Sequence, residues 1–173
     1  MILGTKQQRA KVAVRMLQIG DVQITPNQSK PVRNIGALFD ADLSMEDHVK
    51  KTCQMCHYHL RNIGKIRKYL DQKATESLVH ALITSRLDWG NALLVGAQNT
   101  ILDRLQRIQN VAARIITRTK KYEHITPVLK KLHWLPVRER ITFKLLLLTY
   151  KAQHNMAPSY ISDLIISYKP SRS

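Results

Sequence analysis

The spacing of apolar residues changes once along the chain, near Ser44. Upstream it has the period of two that half-buried strands require. Val12, Val14 and Leu17 lead to Gly20-Asp21, and Val22 and Ile24 follow. Gly-Asp between such runs is a two-residue hairpin signal. Pro26, Asn27, Gln28, Ser29 and Pro31 mark a loop, and Val32 to Phe39 reads as a third strand. A three-stranded element of this size is marginal alone and requires something to pack on.

From Ser44 onward the period is helical. Ser44 is the expected N-cap, with Glu46 and Asp47 in the first turn, where the helix dipole favours acids. Val49, Cys53, Cys56, Leu60 and Ile63 recur at helical spacing and make one apolar face; Lys50, Lys51, Arg61, Lys65 and Lys68 fall mainly off it. Asp71 caps a second expected helix, which carries Leu78, Val79, Leu82, Ile83 and Leu87. Asn99 caps a third, with Leu102, Leu105, Ile108, Val111, Ala112 and Ile115 as its stripe. Thr126-Pro127 starts a short fourth helix with proline at its first position. Pro136 opens a fifth that runs to about Asn155, and Ala157-Pro158-Ser159 starts a last short one. Residues 169–173 read as a frayed tail. The expected fold is mainly α: a small N-terminal β-hairpin or three-strand element followed by an antiparallel helical bundle.

Composition adds one unusual fact. A length of 173 residues with 44% hydrophobic content fits one domain with a moderate core. The charge is far from ordinary: Lys+Arg 28 against Asp+Glu 12, a formal net charge of +16 and a pI of about 10.2. Such an excess repels itself and attracts polyanions. Nucleic acid is the first partner to consider, because every phosphate neutralised by Lys or Arg releases condensed counterions. The most apolar run, Ile141 to Tyr150, is broken by Lys144 and is too short to span a bilayer, which takes ~20 residues. Met1-Ile2-Leu3 is followed at once by polar residues, so no secretory signal is expected. Cys53 and Cys56, the two cysteines, are too close in a helical pattern to form a disulfide framework, which points to a reducing, intracellular setting.

The stretch from Thr84 to Ala152 narrows this further. Thr84-Ser85-Arg86-Leu87-Asp88-Trp89-Gly90-Asn91, Leu105-Gln106-Arg107-Ile108-Gln109-Asn110-Val111-Ala112-Ala113-Arg114 and His133-Trp134-Leu135-Pro136-Val137 together resemble the C-terminal end of the reverse transcriptase of non-LTR retrotransposons, the LINE elements of the jockey-like group. That family usually carries Tyr-Cys where this chain has Trp89-Gly90. Ile35-Gly36, inside Val32 to Asp40, is similar to the family's primer-grip strand, with Ile where Leu is common, and His48 to Leu70 is similar to the first thumb helix. Met1 to Thr5 resembles the strand downstream of the polymerase active site.

The resemblance implies an end of palm at 1–43 and a helical thumb with adjoining helices at 44–168. It implies binding of RNA and DNA as a template–primer duplex, beside the rest of the palm and fingers, in cytoplasm and nucleus, without a membrane. Arg33, Lys50, Lys51, Arg61, Lys65, Arg67 and Lys68 would meet phosphates near the primer grip. Arg104, Arg107, Arg114, Arg118, Lys120 and Lys121 would extend that track, and Gly36 would let the primer strand approach closely. The family's catalytic signature ends in two adjacent aspartates that hold Mg²⁺. The chain has no Asp-Asp; in Phe39-Asp40-Ala41-Asp42 the acids are not adjacent. No catalytic residue, metal or cofactor is therefore expected in this fragment, Mg²⁺ belonging to the full polymerase. A host-adapted helical interaction module and a remnant without selected function are the alternatives.

Other constellations are weaker. Cys53-Gln54-Met55-Cys56-His57 fits the haem-attachment spacing, and with His59 it offers potential zinc ligands, but both readings put a ligand set in mid-helix where the side chains diverge. Buried cysteines in a helix seam are the expectation. Trp89 and Trp134 are expected to pack, while Tyr58, Tyr69 and Tyr122, beside basic residues, are the better candidates for nucleotide contact.

Overall fold

The computed structural model of the chain describes residues 1–12, 16–25 and 30–166. Val14, the loop residues Pro26 to Ser29 and the tail from 169 lie outside them. A short helix, α1 (Lys6–Ala10), comes first, capped by Thr5 and Gln8 reciprocally, where the alternating pattern alone does not predict one. Val12 lies outside any strand. The expected hairpin follows: β1 (Leu17–Ile19) pairs antiparallel with β2 (Val22–Ile24) across Gly20-Asp21.

The expected third strand is instead a second hairpin. β3 (Val32–Asn34) turns at Ile35-Gly36 and pairs back with β4 (Ala37–Phe39), Val32 opposite Phe39. Both turn residues have positive φ, 46° at Ile35 and 84° at Gly36. That is what a two-residue turn matched to strand twist demands. The two hairpins form separate two-stranded sheets.

Among the described residues, helices make up most of the chain. α2 (Glu46–Ile66) starts from a loop organised by Asp40. The Asp40 carboxylate accepts from the backbone N–H of Ser44 (2.9 Å) and Met45 (2.7 Å) and from the Ser44 hydroxyl (3.1 Å). The cap position falls to Met45 at φ 61°, not to Ser44, whose Oγ accepts from the Glu46 N–H at 3.2 Å. α3 (Gln72–Val79) is capped by Asp71 as expected, its carboxylate accepting from the Ala74 N–H.

α3 runs through a wide π turn (His80–Thr84) into α4 (Ser85–Asp88). Thr75, Val79, Ile83 and Leu87 are all buried at a strict spacing of four. Three such steps on a regular α-helix would drift by about 120°. The π turn, with more residues per turn, absorbs that drift and keeps the four on one face.

α5 (Asn99–Thr117) is capped at Gln98 rather than Asn99. Its buried face is Ile101, Leu102, Leu105, Ile108, Gln109, Ala112, Ala113 and Ile116, so Val111 lies outside the core and Ile115 only borders it. α6 (Ile125–Lys131) begins two residues before Pro127, with His124 at the cap. α7 (Val137–Gln153) has Pro136 at the cap, and α8 (Ser159–Ser162) has Pro158 there.

Glu46 at the start of α2 touches Arg104 of α5, and Arg67 just after α2 touches the last turn of α5. These two helices therefore run the same way. Arg86 of α4 touches Met55, so the α3–α4 rod returns antiparallel alongside α2. Val49, Cys56, Leu60 and Ile63 of α2 share one buried cluster with α3, α5 and the start of α7.

Two amides, buried Gln109 and half-buried Gln106, dock α7. Gln109 donates to the Leu135 carbonyl (2.8 Å), and the Gln106 carbonyl oxygen accepts from the Val137 N–H (2.8 Å). Asp88 holds Arg140 at 2.9 Å. The segments at 84–91, 105–114 and 133–137 thus meet in space.

Candidate nucleic-acid interface

The buried residues of α2 fix which face is left to solvent. Opposite them lie Lys50, Gln54, His57, Tyr58, Arg61 and Lys65, spaced three and four apart and all exposed. They form one ridge with no acid between Lys50 and Lys65; Asp47 stands one turn before it on the same face, and Lys68 follows in the turn after. Lys50 to Lys65 covers about 22 Å at 1.5 Å per residue. One strand of duplex presents about six phosphates along that length. Tyr58 stands in the ridge, 63% exposed, and the Lys68 ammonium lies 4.7 Å from the ring centre of the exposed Tyr69.

A second group of cations lies along the outer face of α5, Arg104 and Arg107 three residues apart and Arg114 two turns further on, with Arg118 at the C-cap. Arg107 and Arg118 are exposed without a carboxylate partner among the described residues. Lys120 and Lys121 continue beyond it, with Lys120 5.8 Å from the ring centre of Tyr122, which is 79% exposed.

Four expected contact residues have other occupations. Arg67 spends its whole guanidinium on backbone: Nε donates to the Ile115 carbonyl (2.8 Å), Nη2 to Ile116 (2.9 Å) and Nη1 to Leu70 (2.7 Å). It satisfies carbonyls that a helix end leaves orphaned. Arg114 ties the loop after α5 by donating to the carbonyls of Lys120 and Glu123. Arg104 pairs with Glu46 at 3.1 Å. Gly36 does admit a close approach, but the group that approaches is Trp89, whose Nε1 would lie 2.9 Å from a Cβ added there. Arg33 and Lys51 leave the ridges and line a cavity between the second hairpin, α2 and α4.

The aromatic expectations divide. Trp134 is 8% exposed and packs edge-on to His80; Trp89 is 57% exposed, with Nε1 donating to the Ile35 carbonyl at 3.2 Å. Cys53 and Cys56 sit in the helix seam as free thiols. Burial pushes Cys56 up to about 11, with the neighbouring Cys53 adding to it, so it stays a thiol at neutral pH. The described residues contain no group of three His, Cys, Asp or Glu able to hold a metal ion. Asp40 is engaged in its loop, and Asp42 pairs with Arg9.

Two residues that sequence reading did not single out also face the cavity. Arg86 has no acid one turn away in sequence to neutralise it, a signal that could have been read. His48 is buried and its Nδ1 accepts from the Leu38 N–H at 3.4 Å, which only the hairpin geometry reveals. No helix among the described residues is long and apolar enough to cross a membrane. No known protein family, curated protein or solved structure matches the chain.

Proposed function

We propose that the chain is the C-terminal part of a LINE-type reverse transcriptase, the last palm strands with the thumb and adjoining helices. In this reading it holds template–primer RNA or DNA by the backbone and carries no catalytic aspartates. The observation that carries the binding role is the α2 ridge, on which exposed Lys50, Arg61 and Lys65 share one face with no acid between them. Contacts of that kind position a duplex and do not read its bases. Exposed Tyr58 within the ridge adds a stacking surface for an unpaired nucleotide. The polymerase origin rests on the resemblance of the three segments that pack together around Gln106, Gln109 and Asp88.

Titration of DNA duplexes of unrelated sequence at graded salt tests the binding role. About six phosphate contacts predict a slope of log K against log [salt] near −5, with little difference between sequences. A slope near zero, or strong preference for one sequence, contradicts it. With Mg²⁺ and deoxynucleotides the chain should extend no primer.

One observation favours a protein partner as well. Phe143, Leu146 and Tyr150, at three- and four-residue steps, form an exposed apolar stripe on α7, opposite the face that buries Val137, Ile141 and Ala152. The strand residues Leu17, Ile19, Val22 and Ile24 are exposed too. Apolar surface of this kind suits contact with the rest of a polymerase, or with a host protein in an interaction module. Association that is insensitive to salt and lost on Leu146→Asp would mark the protein-docking role.

A further inference from the structure

The cavity between the second hairpin, α2 and α4 has a volume of about 710 Å³. That is within the usual range for small-molecule sites. Its wall carries Arg33, Lys51, Arg86, His48 and Trp89, and no carboxylate lines it. Asp88 and Glu46, acids from the same helices, are engaged elsewhere, on Arg140 and Arg104.

Arg86 is the telling residue. Its Nε is shut off from solvent with no protein acceptor, and Nη1 reaches only the Met55 sulfur at 3.8 Å. A thioether is a weak acceptor, and a guanidinium taken this far out of water is ordinarily paired. Here a partly buried cation without a counter-charge faces a cavity that two further cations line. The planar fork of arginine matches the oxygens of a phosphate. His48 adds a neutral donor, since burial holds the ring uncharged and its Nδ1 is taken by Leu38, which leaves the proton on Nε2. Trp89 is pinned through Nε1 to Ile35 and keeps more than half its surface open.

We infer that this cavity is a nucleotide site, in which Arg86, helped by Arg33 and Lys51, takes a phosphate group and Trp89 offers its ring to the base. The choice of ligand class rests on the nucleic-acid reading, but the residues are not those of the α2 ridge. Two sources share this chemistry: the phosphorylated end of a strand and a free mononucleotide.

The test uses AMP, inorganic phosphate and two oligonucleotides that differ only in a 5′-phosphate or 5′-hydroxyl, followed by calorimetry and tryptophan fluorescence. AMP should bind saturably and quench Trp89. Arg86→Gln should weaken AMP about tenfold or more, as expected for loss of a charged hydrogen-bonding partner. Lys51→Gln, at an exposed position, should weaken it several-fold and serves if the Arg86 variant fails to fold. Trp89→Ala should lower AMP affinity and leave that of inorganic phosphate unchanged.

An Arg86-dependent preference for the phosphorylated oligonucleotide assigns the strand end. Equal oligonucleotide affinities with AMP binding retained assign the free nucleotide. No saturable binding of AMP, phosphate or phosphorylated strand, or AMP affinity indifferent to both charge substitutions, overturns the site. The salt slope for duplex should be unchanged in Arg86→Gln; a parent chain that binds AMP but no duplex would remove the ridge reading alone.

Discussion

Trp89 and Gly36 fit together as ring against backbone. The indole Nε1 donates to the carbonyl of Ile35 at 3.2 Å, and a Cβ at Gly36 would lie 2.9 Å from that same nitrogen. The glycine that the primer-grip resemblance assigns to a nucleic-acid strand is in contact with the chain's own tryptophan. Gly36→Ala should therefore cost stability. The left-handed φ of 84° alone is worth about 1–2 kcal/mol against alanine, and the ring must also move. Trp89→Phe removes the hydrogen bond for about 1 kcal/mol. In urea titrations the two substitutions should be non-additive, because they break one contact. Additive losses would mean that the glycine and the ring are independent.

Ile35 carries the other half of the turn and is the wrong residue for it. A β-branched side chain at φ 46° is strained, and this one is 81% exposed, so it gains little by packing. Ile35→Asn creates the Asn-Gly pair that two-residue hairpins prefer. It should raise stability by about 1 kcal/mol, read as a higher urea midpoint at unchanged slope. A lower midpoint would place Ile35 in a contact that the fold does not display.

Arg67 should behave as a structural residue despite its charge. Its three carbonyl bonds close the end of α5 against the end of α2. Arg67→Met should destabilise by about 2–3 kcal/mol, in the range for charged hydrogen bonds whose acceptors are left buried. The duplex salt slope should not change. A shallower slope with full stability would return Arg67 to the phosphate track.

Asp40 gives the fold a pH signature. Burial alone would raise its carboxyl, but hydrogen bonds from Ser44 and Met45 outweigh that and hold it below its ordinary range. A carboxylate with a depressed folded pKa contributes stability above its unfolded pKa, about 3.9, and loses it as pH falls through the folded value. Asp40→Asn should be less stable than the parent at neutral pH, because the amide loses the charge that strengthens these hydrogen bonds. The gap should close as pH falls through the folded value, once both side chains are uncharged. A gap that persists there would assign the loss to shape.

The helices were legible because burial imposes a period: Val49, Cys56, Leu60 and Ile63 face the core as their spacing predicts, and Asp71 caps α3. The turn at Ile35 was not, since isoleucine is the last residue expected at positive φ. The phase of α5 was mistaken by about one residue, and Ala113 and Ile116 are buried while Val111 is exposed. Small residues and one buried glutamine, Gln109, blur that stripe. The basic residues were visible in the sequence, but their occupations were not. Arg67 is bound to carbonyls almost fifty residues away in the chain, and Arg104 to an acid on another helix. Trp89 and Arg86 meet Arg33 and Lys51 only through a hairpin that read as a strand.

The central claim is that the outer ridge of α2 grips a sugar–phosphate backbone. It is tested most directly by neutralising Lys50, Arg61 and Lys65 together, each to glutamine, and measuring duplex affinity across a salt series. These positions are exposed, so the fold should survive. Losing three phosphate contacts should make the slope of log K against log [salt] shallower by about 3. A slope identical to the parent's would contradict the claim.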